Sequence, residues 1–115
     1  RYKDMSNTRI SRLLEFLENE PNDPFLNYAL ATEYVVLGER ALALTYFEDL
    51  ISKHPDYVGT YYHLGKLYET LGRKEEAITT YKNGIEVATK QQNAHARSEL
   101  QAVYQSAMGI DYEDD

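Results

Sequence analysis

An internal repeat constrains the fold of this chain more than any other feature of its sequence. When the sequence is shifted against itself by the interval from Tyr28 to Tyr62, one set of positions recurs identically. These residues are Tyr28, Leu30, Tyr34, Leu37, Gly38, Ala43, Thr45 and Ile51, which recur as Tyr62, Leu64, Tyr68, Leu71, Gly72, Ala77, Thr79 and Ile85. Side chains kept in register over such a fixed repeat interval are typical of stacked supersecondary units, in which equivalent residues occupy equivalent faces.

Local signals predict a pair of helices in each repeat. Asp23 is a suitable N-cap for a helix over residues 24–37, because Pro24 is tolerated at the first helical position. Gly38 and Gly72 each follow an apolar run, where a left-handed residue ends a helix. Gly84 lies inside a helix, which costs about 1 kcal/mol relative to Ala, so we expect a close helix crossing there. Two further helices are predicted over residues 40–54 and residues 74–90. Between them, another helix is predicted to begin at Asp56.

The register extends beyond the two full repeats on both sides. Pro21 precedes Pro55 by the same repeat interval, so the first helix corresponds to the second half of an earlier repeat. The last helix has one apolar stripe and one polar face, which suits a helix that caps a core. We predict a single domain with this organisation: an N-terminal tail at 1–8 that the natural protein need not contain, a half-repeat at 9–20, repeat 1 at 24–57, repeat 2 at 58–91, a capping helix at 93–108 and an acidic tail at 109–115.

Composition and charge exclude or disfavour several classes of function. The chain has no cysteine, which excludes disulfides, thiol catalysis and cysteine-based metal centres. Its formal net charge of −7 disfavours binding to nucleic acid or to an anionic membrane, because both usually require clustered Lys and Arg. It also lacks an apolar run approaching the roughly 18 residues of a membrane span. We expect a soluble, cytoplasmic protein without a cofactor.

The helix–turn–helix period resembles that of the tetratricopeptide repeat family, whose signature combines an aromatic residue, Leu-Gly, Tyr, Ala, Phe and Pro at fixed offsets. The second repeat matches this signature at Tyr61, Leu64, Gly65, Tyr68, Ala77 and Tyr81. The first repeat matches it more loosely, with Asn27 at the position of the aromatic residue and with Leu30, Ala31, Tyr34, Ala43, Phe47 and Pro55 at the other positions. The resemblance implies an all-α fold, a right-handed superhelical stack of antiparallel helix pairs.

The resemblance also implies a concave groove, lined by the first helix of each repeat, that binds a peptide. The corresponding positions here are Tyr28, Thr32, Val35, Tyr62, His63, Lys66, Glu69, Asn93 and Arg97. Tyrosines with adaptable polar neighbours suit peptide recognition, because they provide contact area at low entropic cost. The alternative is that Tyr28 and Tyr62 merely pack against adjacent helices.

Three of these residues, His63, Lys66 and Arg97, form a predicted basic spot that suits a peptide carboxylate or an acidic side chain. Chaperone-binding members of the family use a Lys/Asn/Arg clamp, and among the clamp positions of this chain only Arg97 matches. The resemblance therefore does not favour binding of a chaperone tail.

Other candidate sites are weaker. His63 and His95 fall on successive first helices, but the sequence indicates no carboxylate that would complete a metal site with them, so we expect no bound metal. His54 is interpreted as a cation at a helix C-terminus. No motif for a nucleophile or a phosphate loop is present, so we expect no enzymatic activity. The sequence predicts a non-catalytic module that binds a peptide segment or partner protein. The alternative is a structural module that forms homo-oligomers through its end faces.

Overall fold

The computed structural model describes residues 2–109, with side chains described from residue 8 onward. Over this range the chain forms six α-helices and no β-strand, which confirms the all-α prediction. The helices are α1 (Tyr2–Asn19), α2 (Pro24–Leu37), α3 (Arg40–Lys53), α4 (Gly59–Thr70), α5 (Lys74–Lys90) and α6 (Ala94–Met108). None of these helices combines the length and hydropathy that a membrane span requires.

The chain divides into two compact units, and the division falls where the two predicted repeats meet. The first unit is Arg1–Tyr57 and the second is Val58–Asp115. In the first unit α2 packs against both α1 and α3, and in the second unit α5 packs against α4 and α6, which also contact each other. Since α2 and α3 are joined by only two residues, they form an antiparallel pair.

The ends of α2 have the causes that the sequence predicts. The Asp23 carboxylate accepts a hydrogen bond from the Leu26 backbone amide at 2.9 Å, and Pro24 occupies the first helical position. At the other end Gly38 has φ +82°, and its amide donates to backbone carbonyls of the last turn. The left-handed backbone at Gly38 favours glycine, because a Cβ is strained in that conformation.

The first repeat has asparagine where the family signature has a large aromatic residue. The Asn27 side-chain amide donates to the carbonyl oxygens of Pro21 at 3.1 Å and Asp23 at 2.9 Å. It therefore ties the connection between α1 and α2 to the first turn of α2. This position stabilises the first unit through hydrogen bonds rather than through aromatic packing.

Two element boundaries differ from the sequence-based predictions. Helix α1 already begins at Tyr2, in the segment predicted as a tail, because no proline or glycine precedes Pro21 to interrupt it. Helix α4 begins at Gly59 and is not opened by Asp56. The Tyr57 amide donates to the His54 carbonyl at 3.0 Å, and this closed turn contains Asp56. The segment 109–115, predicted as an acidic tail, lies outside the described residues except for Gly109.

The core of the second unit depends on two glycines that face tyrosine rings. Tyr81 is completely buried, and a Cβ at Gly65 would overlap its ring. A Cβ at Gly84 would lie 2.5 Å from Tyr61 Cβ and 3.1 Å from a Leu100 methyl carbon. The close crossing predicted at Gly84 is confirmed, because no larger residue fits there without displacing α4 or α6.

Substitution of Gly84 by Ala tests this crossing. The intrinsic helix propensity of Ala favours the variant by about 1 kcal/mol, whereas forcing a methyl group into a close-packed crossing costs on the order of 1–3 kcal/mol. We expect a net decrease in the free energy of unfolding, measured by urea denaturation. Ser98→Ala, on an exposed position of α6, is the control and should not destabilise the protein. A Gly84→Ala variant more stable than wild type would contradict the proposed crossing.

Candidate functional site

In the first unit, the three predicted site residues share one face of α2. Tyr28, Thr32 and Val35 are spaced by four and three residues, which places them on the same side of a helix. Leu30 and Ala31 of the same helix are, by contrast, completely buried. The structure therefore directs the predicted residues away from the core of the unit.

The polar groups on this face of α2 are partly engaged within the fold. The Tyr28 ring lies 5.5 Å from the Tyr57 ring, centroid to centroid, in a tilted arrangement. Burial, followed by the neighbouring Tyr57 hydroxyl, raises the pKa of Tyr28. The Thr32 hydroxyl donates to the Ala29 carbonyl at 2.8 Å. Tyr28 thus packs within its own unit, and the packing interpretation accounts for part of its surface.

Sequence reasoning missed two exposed apolar residues on the same face of α2. Phe25 is 59% exposed and Val36 is 53% exposed, and both lie at helical spacing from Tyr28 and Thr32. Their signal was available in the repeat, because the repeat interval places Gly59 and Thr70 at the equivalent positions. An apolar residue that faces its own repeat core would be expected to stay apolar in both copies.

In the second unit, α4 carries four predicted site residues. Tyr62 and His63 are half-buried, and their rings lie 5.5 Å apart in an edge-on arrangement, whereas Lys66 is exposed. Burial lowers the pKa of His63, and the carboxylate of Glu99 on α6 partly opposes this shift. His63 is therefore predominantly neutral at neutral pH, and the cationic charge of the predicted basic spot belongs to Lys66 and Arg97.

The fourth α4 residue, Glu69, has a structural partner. Its carboxylate accepts a hydrogen bond of 2.5 Å from the hydroxyl of Tyr81 on α5. The pKa of the Tyr81 hydroxyl is raised above its ordinary value, first by burial and then by this hydrogen bond. The bond satisfies the hydroxyl group of the buried Tyr81, so Glu69 has a structural role in the fold.

The predicted residues of α6 lie at its N-terminal end. Asn93 is the N-cap, and its side-chain oxygen accepts a hydrogen bond from the Ala96 amide at 3.0 Å. Arg97 is exposed and, together with Asn93, lines a shallow hollow at the turn between α5 and α6. Gln92 makes this turn with a φ of +56°, a conformation that few non-glycine residues adopt. The exposed guanidinium of Arg97 can donate hydrogen bonds to a carboxylate or to peptide carbonyls.

Comparisons with known proteins agree with this architecture. Sequence models of the tetratricopeptide repeat family match residues 27–57 and residues 58–91. The solution structure of a tetratricopeptide repeat domain protein from Salinibacter ruber is 50% identical, with a TM-score of 0.75, over 80% of this chain and 93% of that one. A crystal structure of a tetratricopeptide repeat domain protein from the same organism, also 50% identical, gives a TM-score of 0.74 over 77% of this chain and all of that one.

The chain belongs to the tetratricopeptide repeat family. The same fold occurs in a complex of the TPR2B domain of yeast Sti1 with pHsp70, where the TM-score is 0.83 and the identity is 16% over 96% of this chain and 88% of that one. A search of curated protein sequences returned no significant match. In this tetratricopeptide repeat protein, the signature residues Leu64, Gly65 and Tyr81 account for helix packing. The exposed residues of α2, α4 and α6 are not required by the signature.

A double-mutant cycle tests the structural role of Glu69. We expect Tyr81→Phe and Glu69→Ala each to lower the free energy of unfolding, with a coupling energy of roughly 1–2 kcal/mol, because a hydrogen bond to a charged group is stronger than a neutral one. The measurement is urea denaturation of the wild type, both single variants and the double variant at pH 7. Strictly additive effects of the two substitutions would show that the hydrogen bond does not contribute.

The pH dependence of stability tests the burial of His63. Because the folded state lowers the pKa of His63 below its ordinary value of 6.5, the unfolded chain binds the proton first as the pH falls. The stability linked to neutral His63 is therefore complete above this value and is lost as the pH falls below it.

We expect His63→Gln to reduce the loss of stability between pH 7.5 and about 5.5, measured by urea denaturation at each pH. His95→Gln is the matched control, because the His95 side chain is 84% exposed. An equal loss of stability in the wild type and the His63→Gln variant would argue against the buried neutral histidine.

Proposed function

We propose that this protein is a non-catalytic interaction module whose first helices bind a peptide segment or a partner protein. The residues proposed to contact the partner are Tyr28, Thr32 and Val35 in the first unit, and Tyr62, His63, Lys66, Glu69, Asn93 and Arg97 in the second. Glu69 and Asn93 already make hydrogen bonds within the fold, so Tyr62, Lys66 and Arg97 are the main polar anchors of the second unit.

The main support for this proposal is that α4 has one buried side and one accessible side. Leu64 and Tyr68 are buried and fix the position of the helix, whereas Lys66 and Tyr62 on another side remain accessible. A rigid helix that presents aromatic and cationic side chains satisfies the requirements of a peptide-binding surface, because little conformational entropy is lost on binding. The complex of the Sti1 domain supports the proposal by analogy of fold.

Capture from the native cell extract tests the proposed surface of α4. We expect Tyr62→Ala combined with Lys66→Glu to retain less partner than the wild type, because the substitutions remove an aromatic contact and reverse a charge. Lys82→Glu, at an exposed position of α5, is the charge-matched control. Circular dichroism should show that all variants are folded. Unchanged capture by the folded double variant would place the binding surface elsewhere.

Self-association is a second candidate, and one feature of α1 favours it. Leu14 is 41% exposed and Phe16 is 61% exposed on this helix, and burial of such residues is a common source of stability in oligomers. Light scattering over a range of concentrations distinguishes the candidates. A protein that stays monomeric at high micromolar concentration would exclude self-association as its function.

A further inference from the structure

The outward face of α2 is uncharged and mostly apolar along its length. We define the α2 stripe as the residues of this face, which are Phe25, Tyr28, Ala29, Thr32, Val35 and Val36. Their spacing of three and four residues forms a continuous band along one side of the helix. The stripe contains no charged side chain, and the single charged residue of α2, Glu33, lies beside the stripe and forms an ion pair of 3.2 Å with Arg9 of α1.

Much of this apolar surface is accessible. Phe25, Val36 and Val35 are 59%, 53% and 42% exposed. An isolated exposed apolar residue is ordinary, whereas several on one face of one helix are typical of an interaction surface. The completely buried residues of the helix are Leu30 and Ala31.

The second unit provides an internal comparison. A shift by the repeat interval places the α2 stripe on an equivalent set of α4 residues. That set is Gly59, Tyr62, His63, Lys66, Glu69 and Thr70. Only the tyrosine is retained, and the other positions become glycine or polar. Since both helices have the same place in their repeats, packing of the repeat does not require an apolar outer face. The apolar character is specific to α2.

Acidic side chains lie near both ends of the stripe. At the N-terminal end, Glu20 and Asp23 line a hollow with Phe16 and Leu26, the residue that follows Phe25. Burial raises the pKa of Tyr57, and the negative charge of Asp23 raises it further. Because the Tyr57 ring packs against Tyr28, the Asp23 carboxylate lies near the N-terminal part of the stripe.

At the C-terminal end the acidic residue is Glu39. Glu39 follows α2 by two residues and therefore lies close to Val36 in the chain. An apolar segment with cationic ends would match this distribution of charge.

The apolar side chains of the α2 stripe restrict the conformation of a segment that binds to it. A bound extended segment would leave its amides and carbonyls facing apolar side chains, and the Thr32 hydroxyl already donates to the Ala29 carbonyl. A helix satisfies its own backbone hydrogen bonds and presents apolar residues at the spacing of the stripe. The stripe is about 16 Å long at 1.5 Å per residue, which corresponds to about three turns of a partner helix.

We propose that the α2 stripe binds an amphipathic helix of a partner protein, with apolar side chains against Phe25, Val35 and Val36 and with Lys or Arg at its ends. This proposal rests on the proposed function and names the class of segment that the first unit recognises. A second copy of the chain is a poorer occupant, because it brings the same acidic surroundings and a net charge of −7.

Two synthetic peptides test the class of ligand. Both are amphipathic helices of about five turns with the same leucine face, and their flanking positions carry Lys in one and Glu in the other. We expect the Lys peptide to bind the full chain at least tenfold more tightly than the Glu peptide, measured by fluorescence anisotropy. Circular dichroism of the bound Lys peptide should show helix. Equal affinities, or a bound peptide without helix, would overturn the proposal.

A pair of charge-neutral variants locates the binding surface. We expect Phe25→Ser combined with Val36→Ser to weaken binding of the Lys peptide at least tenfold without changing the net charge. Leu42→Ser is the matched control, because Leu42 is an apolar residue of α3 that is 43% exposed outside the stripe. If the control weakens binding equally, or if the stripe variant binds as the wild type does, the peptide binds elsewhere and the proposal is wrong.

The stripe variant also separates this proposal from the proposed function. If partner capture from the extract is lost with the α4 variant but retained with the stripe variant, the proposed function stands and the α2 proposal fails. If both variants retain the partner, both proposals fail. A concentration-dependent dimer that the stripe variant abolishes would identify a second copy as the occupant and would overturn the proposed partner helix.

Discussion

The structure depends on a close approach of helices that is possible only because small residues face large rings. Gly65 leaves room for the ring of Tyr81, and Gly84 leaves room for Tyr61. In the first unit Ala31 occupies the position equivalent to Gly65, and Ala43 occupies the position equivalent to Ala77. Both alanines are completely buried. At each of these points a larger side chain would separate the helix backbones, since protein interiors are close-packed and tolerate little added volume.

This packing constraint acts on one side of each first helix and leaves the other side free to differ. In α4 the buried side holds Leu64 and Tyr68, while the outer side is polar and contains Lys66. In α2 the buried side is similar, but the outer side contains Phe25 and Val36. The same fold therefore presents two chemically different surfaces, because the repeat specifies the buried residues and does not specify the exposed ones.

Several polar residues of the candidate site also have structural tasks. Glu69 accepts the hydrogen bond of the buried Tyr81, and Asn93 caps α6. Burial holds His63 mostly neutral, which confines the exposed positive charge of this region to Lys66 and Arg97. The recognition proposed there would depend on a few anchors, whereas the recognition proposed for the α2 stripe would depend on apolar area.

The sequence by itself determined the features that depend on neighbouring residues or on the period of the repeat. The extent of α2, its cap at Asp23, the left-handed Gly38 and the junction of the repeats at residue 57 were all predictable from such signals. The face of α2 that carries Tyr28, Thr32 and Val35 was predictable too, because helical periodicity places these residues together.

Tertiary structure alone decided which of these side chains are accessible and which are already bonded. The partnership of Glu69 with Tyr81 spans two helices, and the half-burial of His63 depends on the elements that surround α4. The exposure of Phe25 and Val36 has the same origin, since an apolar residue in a sequence is expected inside. Exposure is a property of the whole packed arrangement, and for Phe25 and Val36 the sequence offers only the indirect signal that the second repeat has Gly59 and Thr70 at the equivalent positions.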